Sequence, residues 1–155
     1  MPRRSAGLLM YRRAGAGLEV LLVHPGGPFW AKKDRGAWMI PKGEYADDEA
    51  PLAAAQREFV EETGARPHGA FVPLGEIRQP GGKHVAAWAV EGDFDPATLV
   101  SHTFEFEWPP RSGRTRSFPE VDRARWFTPQ EAREFILPAQ RVFIDRLEGL
   151  LTSGA

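Results

Sequence analysis

The sequence contains no cysteine. That excludes disulfides, thiol nucleophiles and zinc–thiolate sites together, and it fits a cytoplasmic setting. It also lacks net charge: 20 Lys and Arg against 21 Asp and Glu leave -1. No global field therefore draws extended nucleic acid or an anionic membrane to it. No apolar run approaches the ~20 residues of a membrane-spanning helix. The basic start Met1-Pro2-Arg3-Arg4-Ser5 is like the opening of a secretory leader. The apolar run behind it, Ala6 to Tyr11, stops at Arg12-Arg13, short of an h-region. There is no internal repeat and no low-complexity tract. These absences predict a soluble, unprocessed chain with no membrane partner; a monomer or homodimer is expected.

What remains is enough for a single domain over residues 1–155. The hydrophobic share of 42% supports a core, and 26% charged residues is ordinary for a soluble surface. Ser5 to Arg13 and Leu18 to Val23 read as strands joined by the turn Ala14-Gly15-Ala16-Gly17. The run Val20-Leu21-Leu22-Val23 predicts burial on both faces. Pro25 to Gly36 is a loop carrying Phe29, Trp30, Lys32 and Lys33, either a binding element or a solvated loop. Trp38 to Pro41 is extended and ends in a tight turn at Lys42-Gly43-Glu44. Asp47 to Thr63 is the strongest helix, with Asp47 or Asp48 as cap, Glu49 and Pro51 in the first turn, and Gly64 as its stop. Leu52, Ala55, Phe59 and Thr63 form its apolar stripe. Strands follow at Phe71 to Arg78, His84 to Val90, Thr103 to Trp108 and Ala124 to Phe127, with a hairpin turn at Gly81-Gly82. Thr128 caps a short helix, and Pro138 to Leu151 forms the last one through Val142, Phe143, Leu147 and Leu150. The class is α+β, a mixed sheet with helices packed on it.

The chemistry concentrates on the first helix. Glu58, Glu61 and Glu62 are three and four apart, so they share one face within about one turn, roughly 6 Å. Taken alone they read as a solvated acidic face, with Arg57 pairing to Glu61. Two features favour a site. Phe59 and Leu52 dock the helix on a core. Lys42-Gly43-Glu44 precedes it, where glycine lets a backbone carbonyl approach a metal and lysine can meet a phosphate. Like carboxylates this close need a cation, and hard divalent ions prefer oxygen donors.

Gly43, Glu49, Arg57, Glu58, Phe59, Glu61, Glu62, Gly64 and Ala65 stand at the spacing of one known signature. Residues 43 to 65 resemble the motif of the Nudix hydrolase family. Only Phe59, bulkier, and Ala65, smaller, depart from its usual aliphatic residues. The resemblance implies a Nudix-like α/β/α sandwich and hydrolysis of a nucleoside diphosphate linked to a further group. It implies Mg²⁺, with Mn²⁺ as the alternative, held by Glu58 and Glu62. Glu61 is a ligand or orients the water, and the Gly43 carbonyl adds a further bond. Arg57 then holds the glutamates in place, and Glu49 supports the motif by pairing or capping.

The general base stays open between Glu58, Glu61 and carboxylates outside the motif. Strand alternation puts Glu105 and Glu107 on one face, opposite Phe104 and Phe106, facing either a cleft or solvent. Glu120 is another candidate. Trp38-Met39-Ile40-Pro41-Lys42-Gly43 resembles the Trp-x-x-Pro-Lys-Gly entry of family members acting on dinucleoside polyphosphates or diphosphoinositol polyphosphates. Lys42, Trp38, Lys32 and Lys83 are therefore the candidate substrate-binding residues, with Lys33, Arg78 and His84 as further cations. Trp38 also reads as a core residue. The basic, turn-rich segment Trp108 to Arg116 is either a contact for a polyphosphate or RNA end, or a solvated hairpin tip. The expected partner is a small nucleoside polyphosphate, dinucleoside polyphosphate or nucleoside triphosphate. The rival functions are a nucleotide-sensing module without catalysis and an acidic-helix interaction protein without metal.

Overall fold

The computed structural model describes residues 3–15 and 17–153. Met1 and Pro2 of the basic start, and Ala16 of the first turn, lie outside the described residues. The elements in chain order are β1 (Arg4–Ala14), β2 (Gly17–Pro25), β3 (Lys42–Glu44), α1 (Pro51–Thr63), β4 (Val72–Arg78) and β5 (His84–Glu91). They continue with β6 (Thr103–Glu107), β7 (Thr115–Pro119), β8 (Val121–Phe127), α2 (Pro129–Phe135) and α3 (Arg141–Ser153).

The main sheet runs β4-β5-β1-β2-β8, with β3 added to β1. The β1–β5 pair is parallel and the remaining pairs are antiparallel, so the sheet is mixed. Strand alternation divides the central residues between two cores. Leu9, Val20 and Leu22 meet Phe143, Ile144 and Leu147 of α3 and Ala132 of α2. Ala6, Leu8, Met10 and Leu21 meet Ala54, Ala55 and Phe59 of α1. Helices therefore cover both faces, which is the expected α/β/α sandwich. Phe59 is fully buried, and a side chain of that size contributes about 1.5–3 kcal/mol to docking the helix.

Local rules explain the ends of α1. Pro51 sits at its first turn and Ala50 before it is extended, with ψ 136°. Proline has no N–H to give and disfavours helical geometry in the residue before it. The helix thus begins at Pro51, not at Asp47. Asp47 and Asp48 are not its caps, and Glu49 lies outside the first turn. Gly64 closes it in the left-handed region, with φ 84° and its N–H donating to the Val60 carbonyl. At α2 the expected cap is present: Thr128 and Glu131 form a reciprocal capping box. The last helix splits, with a 3-10 turn at Pro138–Gln140 before α3. Its buried residues include Ile144, with Val142 only half-buried.

Two further elements differ from the sequence reading. Lys42-Gly43-Glu44 is a strand paired to β1, with Ala6 opposite Gly43, not a tight turn. Thr115–Pro119 is a strand that pairs with β6 in a separate two-stranded sheet. His24 is fully buried. Its ring bridges Asp122 of β8, at 2.8 Å from Nδ1, and the Lys33 carbonyl, at 2.6 Å from Nε2. That bridge pins the loop over residues 26–37 to the sheet.

A candidate metal and phosphate site on the first helix

Glu58 and Glu62 are one turn apart on α1 and both are buried, at 8% and 7% exposure. A third carboxylate, Glu120, sits between β7 and β8. Each of the three offers an oxygen, and these oxygens lie within 4.8 Å of one another. Glu120 is placed by its backbone. Its carbonyl accepts from Gly26 N–H at 2.9 Å, and its N–H donates to the His102 carbonyl at 2.8 Å. A Cβ on Gly26 would lie 2.0 Å from the Pro119 carbonyl oxygen, so this crossing requires glycine.

Gly43 serves the same end on the other side. A Cβ there would stand 1.6 Å from Oε1 of Glu58. Its φ is not positive, so glycine is needed for close approach and not for a turn. The Lys42 N–H donates to Glu62 Oε1 at 3.3 Å. Strand β3 thereby lies along the carboxylate face of α1.

Arg57 organises the outer side. Its Nε and Nη2 donate to both oxygens of Glu49 at 2.8 and 2.9 Å, a bidentate pair. Its Nη1 donates to Glu58 at 3.0 Å and Glu61 at 2.6 Å. The Glu49 carboxyl is held below its ordinary range by Arg57. Glu61 borders the trio rather than joining it, and its Oε1 lies 3.6 Å from Nδ1 of His102.

The electrostatics are those of crowded, buried acid. Burial first, then contact with Glu61, pushes Glu58 up to about 7. Burial pushes Glu62 up to about 8, against the pull of Lys42. Burial and Glu61 raise Glu120 as well. Such a group of carboxylates is complete only with positive charge among them. The donor set fits a hard divalent cation: oxygen only, clustered, and beside the Gly43 backbone.

The other expected residues fall into two groups. Lys42 is largely buried beside the trio, and burial together with Lys83 lowers its pKa. Lys83 is half-buried, 3.8 Å from Glu44. Arg3, Arg78, Gln79, Lys83 and His84 line a cavity of about 540 Å³ at the β4–β5 turn, so these cations are gathered. Trp38 lies away from the trio, at the wall of a separate cavity shared with Asp34, Asp122 and Arg123. It is 2% exposed, packed edge-on to His24 and Phe127, with its indole N–H donating to Asp34 at 2.8 Å. It is a core residue. Lys32 is exposed in the loop and not among the gathered cations. Glu105 and Glu107 are exposed on β6, and Glu107 accepts from Arg111 and Gly113 N–H in its own hairpin. Neither joins the trio.

Comparison with known proteins agrees with this geometry. A family model described as the NUDIX domain matches residues 1–147. An RNA pyrophosphohydrolase of Francisella philomiragia is 46% identical over 50 residues, 32% of each chain. Nudix hydrolase 12, mitochondrial, of Arabidopsis thaliana is 34% identical over 120 residues, 76% of this chain and 51% of that one. The chain thus matches a third to a half of the length of these relatives. An RNA pyrophosphohydrolase of Brucella anthropi is 28% identical over 90% of this chain and 83% of its own. Among solved structures, a C. elegans Ap4A hydrolase binary complex superposes with TM-score 0.69 at 20% identity, covering 96% of this chain and 98% of that one. With the signature at Gly43 to Ala65 placing two buried glutamates beside Glu120, and a family model spanning residues 1–147, the chain belongs to the Nudix hydrolase family.

Proposed function

We propose that this chain is a single-domain, Mg²⁺-dependent pyrophosphohydrolase, with Mn²⁺ as the alternative ion, that cleaves a phosphoanhydride bond of a nucleoside polyphosphate. The observation that carries this reading is the Glu58–Glu62–Glu120 trio, with Glu58 and Glu62 buried, Glu120 half-buried and Glu58 against the Gly43 backbone. Glu58, Glu62, Glu120 and the Gly43 carbonyl would hold the metal. When bound, it neutralises charge on phosphate oxygens and makes water a stronger acid.

The chain's own groups do the remainder. Arg57 fixes Glu58 and Glu61 in one geometry, so little reorganisation accompanies the reaction. Glu61 stands at the edge of the trio, 29% exposed, and takes the proton of the attacking water. Lys42, Lys83, Arg78 and His84 form the basic wall along which further phosphates lie. A cytoplasmic monomer or homodimer suits this chemistry. Relatives named as RNA pyrophosphohydrolases support a substrate with a phosphoanhydride bond.

The test is a substrate panel with Mg²⁺, Mn²⁺ or EDTA. It contains diadenosine tetraphosphate, nucleoside triphosphates, 5′-triphosphorylated RNA, nucleotide sugars and diphosphoinositol phosphates. Metal-dependent turnover is expected, with one class preferred by about tenfold or more in kcat/KM, ~1.4 kcal/mol. Binding of a nucleotide without turnover under any metal would instead make the chain a sensor. The NUDIX domain of Shewanella oneidensis NrtR, solved with ADP-ribose, superposes with TM-score 0.68 at 15% identity over 97% of this chain and 89% of that one.

A further inference from the structure

The β6–β7 hairpin takes no part in the chemistry above, yet its two faces are sharply different. Register sets Phe104 opposite Phe118 and Phe106 opposite Arg116. Alternation puts these four on one face and Glu105, Glu107 and Ser117 on the other. The aromatic face meets the loop over residues 26–37. A Cβ on Gly27 would lie 3.0 Å from the Phe104 ring. Phe29 stands edge-on to Phe106 at 5.4 Å and to Trp108 at 6.3 Å between centroids. Phe29 is nonetheless 63% exposed. The His24 bridge holds the loop that presents it.

Several cations around these rings have no carboxylate at ion-pair distance, as is also true of Arg4, Arg66 and Arg78 elsewhere among the described residues. Arg3, Arg12, Arg35, Arg57, Arg123, Arg125 and Arg133 all pair with carboxylates. Arg111, Arg114, Arg116 and Lys32 are exposed, and among the described residues their side chains have no carboxylate at ion-pair distance. Arg116 instead lies 5.7 Å from the Phe118 ring, and Lys33 lies 5.1 Å from the Trp30 ring. An exposed ring, Phe29, backed by half-buried aromatics and bordered by uncompensated cations is the chemistry of a surface that stacks bases and tracks phosphates. A second copy of the chain fits poorly, because a two-fold contact would set the same unpaired cations against each other.

Position supplies the remaining argument. β7 runs directly into Glu120. Arg116 is four residues before it, about 13 Å along a strand. Stacked nucleotides rise about 3.4 Å each, so that span is about four nucleotides. A lipid surface has no such relation to the trio. The near-zero net charge argues against a long duplex footprint, but a patch of this size needs only local charge.

We propose that the β6–β7 hairpin and the loop over residues 26–37 form a stacking platform for single-stranded RNA whose 5′-polyphosphate end lies at the Glu58–Glu62–Glu120 trio. The orientation of the strand rests on the pyrophosphohydrolase reading; the binding does not.

The first measurement is fluorescence anisotropy of the full chain with a short 5′-hydroxyl single-stranded RNA, which has no phosphoanhydride to cleave. Vesicles of phosphatidylserine and phosphatidylcholine are the parallel probe. The RNA is expected to bind and to weaken steeply with salt. Phe29→Ala, and separately Arg111→Glu with Arg114→Glu, are each expected to lose about tenfold or more in affinity, the scale of one stacked base. These side chains are exposed, and a retained melting transition verifies that the variants fold. Equal RNA affinity in wild type and both variants, or binding to the vesicles but not to RNA, overturns the proposal. The second measurement is the ratio of kcat/KM for a 5′-triphosphorylated tetranucleotide to that for a nucleoside triphosphate. It is expected to exceed about ten in wild type and to fall toward one in the variants. A ratio near one in wild type overturns the orientation. Bound RNA with no hydrolysis of any substrate would sink the pyrophosphohydrolase reading and leave the platform standing.

Discussion

The carboxylate face of α1 and the β6–β7 hairpin manage charge in opposite ways. On α1, Arg57 engages Glu49, Glu58 and Glu61 at once, and the acid it leaves, Glu62, is buried beside Lys42 and the half-buried Glu120. On the hairpin, the cations are exposed and uncompensated, and Glu107 is spent on the backbone of its own loop. The first region stores an unmet need for positive charge in a rigid place. The second offers positive charge on a small sheet outside the main one. Burial turns the first imbalance into shifted pKa values, whereas solvent screens the second.

The comparison breaks most visibly at the trio. Glu58→Gln and Glu62→Gln should each cost at least the ~100-fold in kcat/KM with Mg²⁺ that losing even a supporting metal-site group can cost. Neither should destabilise the metal-free protein, since each removes a buried acid. Activity within about threefold of wild type, under ~1 kcal/mol, would remove these residues from the site. Arg57→Ala should cost roughly 10- to 100-fold in the same assay, because it frees the carboxylates it positions; Arg57→Lys should not restore the bidentate pair.

Gly43→Ala tests packing in place of charge. Its methyl would overlap Glu58, and a stability loss of about 1–3 kcal/mol, read as a lowered urea midpoint, is expected. A midpoint equal to wild type would mean that the carboxylate moves aside freely.

The pH dependence has a definite sign. Glu58 and Glu62 rise from 4.5 to about 7 and about 8 on folding. Between 4.5 and about 8 the folded state binds more protons than the unfolded state, so stability falls as pH rises through that window. Glu49, Asp93 and Glu131 are lowered from ordinary acid values, so they act below it. Melting in EDTA should therefore show Tm falling from pH 5 to pH 8. Mg²⁺ should raise Tm more at pH 8 than at pH 5, and a Glu58→Gln/Glu62→Gln double variant should flatten the slope. At the hairpin the effect should be smallest. Glu107→Ala should move Tm by less than about 4 °C while its loop amides exchange faster.

The carboxylate helix was legible because its signature is local: Gly43 to Ala65 lie within one stretch, and helical spacing brings the glutamates together. The sandwich was legible because Val20 to Val23 has no polar face. Glu120 stood only among several candidate bases, since it reaches Glu58 through strand topology and the Gly26 crossing, which no spacing records. Strand β7 was hidden because Thr-Arg-Ser-Phe-Pro is polar, exposed and stabilised by pairing with β6, not by a buried face. Lys42 to Glu44 reads as a turn because its glycine signals flexibility, whereas the fold uses the missing side chain. Trp38 matched a substrate motif, but an indole 2% exposed is held by Asp34 and the core.

The parallel pairing of β1 with β5 also has a kinetic meaning. Arg4 lies opposite His84, so the central strand of the sheet has its final neighbour only after some 80 further residues have been made. At ~5–20 residues per second, that is a wait on the order of 4 to 16 s during synthesis. The β1–β2 hairpin can close early, but the other edge of β1, carrying Leu8, Leu9 and Met10, stays open through that interval. Nascent chains stalled before residue 84 should therefore be the species most prone to chaperone capture and aggregation.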